Sequence, residues 1–76
     1  MTEKDYQNRI KAIAERIKDL RIKAGYTSYE QFALAKGIER KQYWRLEKGK
    51  NFMITSLLRI IDIHDMSLSD FFKGLD

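Results

Sequence analysis

The residues best suited to chemistry lie in one short stretch, RKQYWRLEKGKN, which runs from Arg40 to Asn51. Cations fill it, Tyr43 and Trp44 stand side by side near its middle, and Gly49 interrupts its end. Guanidinium and ammonium groups donate hydrogen bonds to phosphates and base edges, and aromatic rings stack on apolar or cationic partners. The types and spacing of these residues favour noncovalent recognition of an anionic partner.

Side chains for bond-making chemistry are scarce. The chain has one histidine and no cysteine, with neither a glycine-rich phosphate loop nor a carboxylate pair in an evident pocket. His64 precedes Asp65, but adjacent residues of a helix point in different directions, which favours a histidine at a helix C-terminus over an acid–base pair. The sequence therefore predicts a protein that is not an enzyme, with no metal, cofactor or small-molecule ligand.

The positive charge is concentrated. The net charge is +4, and the segment from Lys36 to Lys50 alone holds six cations and two anions, whereas the rest of the chain is balanced. This distribution is typical of a surface that meets a polyanion, although a solvated helix face gives the same pattern.

Length and composition indicate one domain, residues 1–76, whose core consists of packed side chains, with or without help from a partner subunit. Without cysteine, the chain lacks disulfides. No charge-free apolar run approaches the roughly 18 residues of a spanning helix, and the charged N-terminus is unlike a signal peptide. We expect no membrane partner and a cytoplasmic location.

Apolar spacing predicts helices throughout. One stripe at alternating steps of four and three consists of Tyr6, Ile10, Ile13, Ile17, Leu20 and Ala24, which predicts helix 1 over about residues 5–24. Thr27 or Ser28 caps helix 2, over about 28–36. Gly37 and Gly49 then bracket helix 3, over about 39–48.

Two further helices follow. The segment ITSLLRIIDI is apolar on most of its circumference, at Ile54, Leu57, Leu58, Ile60, Ile61 and Ile63, which predicts a central helix 4. A short strand at residues 52–55 is the alternative there. In SLSDFFKGL, Ser67 is the expected cap of helix 5, Phe71 and Phe72 enter the core, and Gly74 ends the helix. The predicted fold class is all-α with five helices.

The segments IKDLRIKAG, FALAKGI, YWRLEKGKN, SLLRIIDI and SLSDFF, in this order and at nearly the family's spacing, resemble the Cro/cI-type repressors of phages and bacteria, often called the Xre family. The resemblance covers about residues 17–72. It implies a five-helix repressor-like DNA-binding domain, with a helix-turn-helix at about 28–48 and an extension of the first helix at about 5–16.

The resemblance also implies roles for individual residues. Helix 3 would enter the major groove of double-stranded DNA, and its base-contacting positions match Arg40, Lys41 and Arg45, with Trp44 beside them. The phosphate-contacting candidates are Ser28, Tyr29, Lys48, Lys50 and Asn51. The alternatives are phosphate contact alone for the three cations, partial core for Trp44, and ring packing for Tyr29.

An internal ion pair and a dimer are further implications. The family often pairs an arginine late in helix 1 with a glutamate near the end of helix 3, which match Arg21 and Glu47; an unpaired carboxylate at the edge of the inward face would be costly. Family members usually bind DNA as two-fold homodimers, and the candidate seam residues are Tyr6, Ile10, Ile13, Phe72 and Leu75. Packing of the helix 1 extension on its own domain is the alternative.

The function that the resemblance implies is a sequence-specific DNA-binding transcriptional regulator that acts as a repressor. The rival is a helix-turn-helix module that binds proteins, such as an antitoxin or adaptor, with weak and sequence-blind DNA binding.

Overall fold

The computed structural model describes residues 1–75, which form five α-helices: α1 Glu3–Lys23, α2 Tyr29–Lys36, α3 Arg40–Lys48, α4 Ile54–Ile63 and α5 Leu68–Phe72. The prediction of an all-α chain with five helices is confirmed. The alternative strand at residues 52–55 is wrong, because residues 52 and 53 have no regular structure and Ile54 begins α4. Within residues 1–75, no helix has both the length and the apolar character that crossing a membrane demands.

Caps set the ends of the helices. Helix α1 begins at Glu3 rather than at residue 5 because Thr2 and Asp5 cap it reciprocally: Asp5 N–H donates to Thr2 Oγ1 at 3.3 Å, and Thr2 N–H donates to Asp5 Oδ2 at 2.9 Å. Ser28, not Thr27, caps α2. Helices α2 and α3 end at Gly37 and Gly49, whose φ angles of 69° and 67° lie in the left-handed region that favours glycine.

Every helix contributes to one core. The largest fully buried side chains are Ile17 of α1, Phe32 of α2, Tyr43 and Leu46 of α3, Ile60 of α4 and Phe71 of α5. Phe32 lies at the centre of an aromatic cluster, with its ring centroid 5.2 Å from that of Tyr26, 5.1 Å from that of Tyr43 and 5.5 Å from that of His64. Burial of these rings removes a large apolar area from water and so stabilises the fold.

His64 belongs to this cluster, although it is also the C-cap of α4. A position at a helix C-terminus favours the charged imidazolium and so raises a histidine pKa. Burial has the opposite effect and dominates: it lowers the pKa of His64, and the positive charge of Lys36 lowers it further. Nε2 of His64 is buried without a hydrogen-bond partner in the described part of the chain.

Several residues predicted for the core lie at the surface. Helix α4 buries only the side that carries Leu57, Ile60 and Ile61, and leaves Ile54 67% exposed. A domain of this size has too few neighbouring elements to surround a helix. The other exposed exceptions are Ala24, Leu58 and Phe72. Helix α5 ends at Phe72 with Lys73 as its C-cap, one residue before the predicted Gly74.

The N-terminal part of α1 supports α3. A Cβ atom at Gly49 would lie 3.7 Å from both Ile10 Cγ2 and Ala14 Cβ, so the end of α3 packs closely on α1 at this level. Ala14 is buried. Ile10 therefore packs beside Gly49 of its own chain.

Candidate nucleic-acid interface

A buried ion pair orients the inner side of α3. Arg21 Nε lies 2.6 Å from Glu47 Oε2, and Arg21 Nη2 donates to Glu47 Oε1 at 3.0 Å. The two side chains are only 6% and 7% exposed. The third donor of the guanidinium, Nη1, reaches the carbonyl oxygen of Tyr26 at 2.9 Å. The Arg21 guanidinium thus donates two hydrogen bonds to Glu47 and one to Tyr26. These bonds hold α1, α3 and the turn before α2 in one geometry.

The pair also determines the local electrostatics. The hydrogen bonds that Arg21 donates to the Glu47 carboxylate raise the pKa of Arg21. Burial raises the pKa of the Tyr43 hydroxyl, and the negative charge of Glu47 raises it further. The Tyr43 oxygen is buried beside the pair without a hydrogen-bond partner among residues 1–75. Both shifts move away from physiological pH, so Arg21 stays charged and Tyr43 stays neutral there.

The outer side of α3 carries the predicted base-contacting residues. Lys41 and Arg45 are exposed, whereas Tyr43 and Leu46 are buried, because successive residues of a helix turn by about 100°. Arg45 lines two surface cavities of about 310 and 200 Å³, one on each side of it. Arg45 is therefore the residue of α3 that these two cavities share.

Trp44 is half-buried and is not among the residues of the core cluster. It lines the cavity of about 310 Å³, which we call the outer cavity and whose other residues are Tyr29, Arg40, Lys41 and Arg45. It also lines a larger depression of about 520 Å³ between α1 and α3, which we call the α1–α3 groove. Tyr29 lines both spaces while its ring packs against the core. The two rings separate the groove from the cavity.

Arg40 is also at the surface, but a carboxylate engages it. Its Nη1 lies 3.2 Å from Oε2 of Glu30 on α2, and the two side chains are 69% and 54% exposed. Exposed pairs of this kind contribute about 0–1 kcal/mol. The contact is therefore weak enough for Arg40 to exchange it for another anion.

Besides Tyr29, the predicted phosphate-contacting residues lie in three places: the start of α2, the α1–α3 groove and the cavity of about 200 Å³. Ser28 Oγ accepts hydrogen bonds from the N–H groups of Glu30 and Gln31 at 3.2 and 3.3 Å, which leaves its hydroxyl proton to donate. Lys48 and Lys50 are exposed on the α1–α3 groove. Asn51 lies on the other side, where it lines the cavity of about 200 Å³ with Arg45. Charged and polar donors thus flank the outer side of α3 on both sides.

Sequence reasoning missed the residues that α1 adds to the groove. Its wall on α1 includes Gln7, Asn8, Lys11 and Lys18. Spacings of four and seven between Gln7, Lys11 and Lys18 place these three on one helix face, and this pattern was the available signal. The pattern is weak as a signal, because polar residues at this spacing also occur on an ordinary solvated helix face. Arg16 was missed too: it donates to the carbonyl oxygens of Phe71 at 2.6 Å and Lys73 at 2.9 Å.

The candidate seam residues other than Ile10 lie away from the groove. Ile13, Phe72 and Leu75 meet at a cavity of about 210 Å³ that Arg9 and Ala12 also line. Tyr6, one heptad before Ile13, is exposed. We call this set the C-terminal apolar surface, consisting of Tyr6, Ile13, Phe72 and Leu75.

Comparison with known proteins adds no relative: no family profile, curated protein or solved structure matches the chain. Residues 1–75 contain no group of three or more His, Cys, Asp or Glu side chains placed to hold a metal ion. The site is therefore characterised by its own geometry, a basic outer helix face with two aromatic rings and flanking lysines.

Proposed function

We propose that this protein is a sequence-specific double-stranded DNA-binding regulator of the Cro/cI type, in which α2, the turn at Gly37 and α3 act as a helix-turn-helix. The observation that carries the proposal is the division of α3. Its inner side is held by Tyr43, Leu46 and the Arg21–Glu47 pair, and its outer side presents Lys41 and Arg45 to solvent. A rigid helix with a basic outer face suits insertion into the major groove.

Each part of the surface has a distinct task in this proposal. Arg45 donates two parallel hydrogen bonds to O6 and N7 of a guanine, and Lys41 reaches similar acceptors. Arg40 exchanges Glu30 for a base or a phosphate. The apolar ring of Trp44 contacts a thymine methyl group or a sugar edge. Ser28, Tyr29, Lys48, Lys50 and Asn51 contact the phosphate backbone, which sets the register of α3 without reading sequence.

A homodimer is part of the proposal, because a single α3 reads only one half-site. Two-fold dimers place their recognition helices about 34 Å apart, one turn of DNA. The C-terminal apolar surface is the proposed seam. At about 100° per residue, Arg9, which borders this surface, lies about 160° around α1 from Lys11 of the groove. DNA and the second copy therefore approach opposite sides of α1, and the dimer acts as a repressor by occupying its operator.

Selection from a random pool of DNA duplexes tests the proposed function. We expect enrichment of one sequence with two inverted half-sites, and the same sequence protected from nuclease by the purified protein. A selected pool without any common sequence would reject sequence-specific recognition. A single enriched half-site would reject the dimer and retain the reading helix.

The seam can be tested independently of DNA. Phe72→Arg places a charge on the C-terminal apolar surface, and we expect it to shift the protein to monomer in light scattering. Leu34→Arg is the matched control, because Leu34 is exposed on α2 and lies outside that surface. A wild-type protein that is monomeric at high micromolar concentration would remove the dimer from the proposal.

The second candidate function is a protein-binding adaptor or antitoxin. The observation that favours it is the outer cavity, in which the half-buried Trp44 and Tyr29 offer an apolar pocket to a partner side chain. The two functions differ in their response to salt. DNA affinity that falls steeply with salt and prefers one sequence supports the regulator, whereas weak, sequence-blind DNA binding supports the adaptor.

A further inference from the structure

The α1–α3 groove extends the basic surface beyond the residues that carry the family resemblance. One wall is formed by Gln7, Lys11 and Lys18 of α1, and the other by Lys48 and Lys50 at the end of α3. Residues 7–11 precede the segment, about residues 17–72, on which the resemblance rests. The contribution of this part of α1 therefore has to be inferred from its own geometry.

The side chains of α1 form a row along the groove. At about 100° per residue, Gln7 and Lys18 lie within about 40° of Lys11, so all three share one face. At about 1.5 Å per residue, Lys11 and Lys18 are about 10 Å apart along the helix axis. One DNA strand carries a phosphate every 3.4 Å or so of its axis, so the two ammonium groups reach different phosphates.

The charge of the groove is positive. Its cations outside the Arg21–Glu47 pair are Lys11, Lys18, Lys48 and Lys50. Glu15 is the one carboxylate on the groove besides Glu47, within the part of the chain that the structure describes. Ammonium and amide groups on the walls suit a chain of anions better than an apolar peptide.

The row is rigidly connected to α3. The close packing of Gly49 on Ile10 and Ala14 attaches this part of α1 to the end of α3. The reciprocal cap of Thr2 and Asp5 keeps α1 helical to its start. The lysines of α1 therefore keep their position relative to Arg45, as a register-setting contact requires.

We propose that the α1–α3 groove binds the sugar–phosphate backbone of the DNA strand that borders the major groove entered by α3. Lys11 and Lys18 each contact a phosphate, and the side-chain amide of Gln7 donates a hydrogen bond to the same strand. This inference rests on the proposed function and deepens it: α1 lengthens the DNA contact of each subunit without adding sequence information.

The test is the salt dependence of DNA affinity, measured with the selected duplex and with a scrambled duplex. We expect Lys11→Ala and Lys18→Ala each to flatten the slope of log affinity against log salt by about 0.9, the value for one phosphate contact. The affinity of each variant should fall by the same factor for both duplexes. Lys11→Arg should restore the slope, because it keeps the charge.

Two controls separate the groove from general charge effects. Glu15→Gln removes the carboxylate from the groove and should strengthen binding to both duplexes. Arg59→Ala removes an exposed cation of α4 that lines none of the spaces described above, and it should leave the slope unchanged. Thermal unfolding of each variant verifies that it is folded.

Failure of the inference and failure of the proposed function give different results. If the wild type binds its sequence but Lys11→Ala and Lys18→Ala keep its slope, the groove does not bind the backbone, and the proposed function stands. If Lys11→Ala changes the preference between the two duplexes, Lys11 reads bases and the inference is overturned. A wild type without salt-dependent DNA binding overturns both.

Discussion

Two arginine–glutamate pairs connect α3 to its neighbours, and they differ in burial. The pair of Arg21 with Glu47 on the inner side is 6% and 7% exposed, with Nε and Oε2 2.6 Å apart. The pair of Arg40 with Glu30 on the outer side is 69% and 54% exposed, at 3.2 Å. The chemical groups are the same, so the surroundings decide what each pair does.

The physical reason is desolvation. A charge that has lost its water depends on its partner, so removal of either member of the inner pair leaves an uncompensated buried charge. A charge that keeps its water gains little from a partner and can exchange it. The inner side of α3 is therefore built for stability and the outer side for binding.

The largest expected effect tests the inner pair. Arg21→Ala leaves Glu47 buried without its partner and should lower the free energy of unfolding by about 3 kcal/mol. Chemical denaturation of the purified protein measures this loss. Arg40→Ala is the matched control on the outer side, with an expected loss below about 1 kcal/mol. Equal stability of Arg21→Ala and the wild type would contradict the assignment.

The next effect concerns recognition by the outer side. Arg45→Ala should reduce the preference for the selected sequence over a scrambled one by about 1–3 kcal/mol, because a bidentate contact to a base is lost. Lys48→Ala should lower the affinity for both duplexes by one common factor, as expected for a phosphate contact. Competition binding on the two duplexes measures both. A common factor for Arg45→Ala would make Arg45 a positioning residue.

A pH-dependent effect tests the burial of His64 at the end of α4. The pKa of His64 in the fold is below its ordinary value of 6.5, because burial against Phe32 disfavours the imidazolium. Well above pH 6.5 the imidazole is uncharged in both the folded and the unfolded chain, and its contribution to stability is fully present. As the pH falls below about 6.5, the unfolded chain binds a proton before the fold does, so the free energy of unfolding decreases.

The matched variant is His64→Gln, which keeps a polar side chain without a titrating group. When the pH is lowered from 7.5 to about 5.5, the free energy of unfolding should decrease less for this variant than for the wild type. Denaturation series of both proteins at several pH values give the comparison. Parallel curves for the two proteins would remove His64 as the cause.

The smallest expected effect concerns the outer pair. Glu30→Gln should change the free energy of unfolding by less than about 0.5 kcal/mol, because the pair is exposed. It should also strengthen DNA binding modestly, since Arg40 is released and a negative charge is removed from the surface. A loss of stability comparable to that of Arg21→Ala would show that exposure does not distinguish the two pairs.

Much of the local structure was predictable. Caps and glycines are short-range signals, so the ends at Gly37 and Gly49 were found within a residue. Helix α1 starts two residues before the predicted position, because Thr2 and Asp5 form a reciprocal cap ahead of the apolar stripe. Periodicity identified apolar faces but not how much of each face is covered. Periodicity therefore predicts Ile54 and Phe72 as core residues, whereas both are exposed in the fold.

The assembly of the candidate site depended on three-dimensional packing. Helical periodicity separates Tyr43 from Trp44, because residues one apart on a helix point about 100° apart. It does not reveal that Tyr29 lies beside Trp44, or that Lys11 and Lys18 face Lys48 across a groove.

The sequence by itself determined five helices, their caps and the concentration of positive charge around α3, because these properties depend on residues within a few positions of one another. Only the tertiary structure decided which surfaces these helices share. The contact of Gly49 with Ile10 and the ion pair of Arg21 with Glu47 join segments far apart in the chain. Such contacts arise when all five helices bury their apolar sides together, and this collective burial places the start of α1 beside α3.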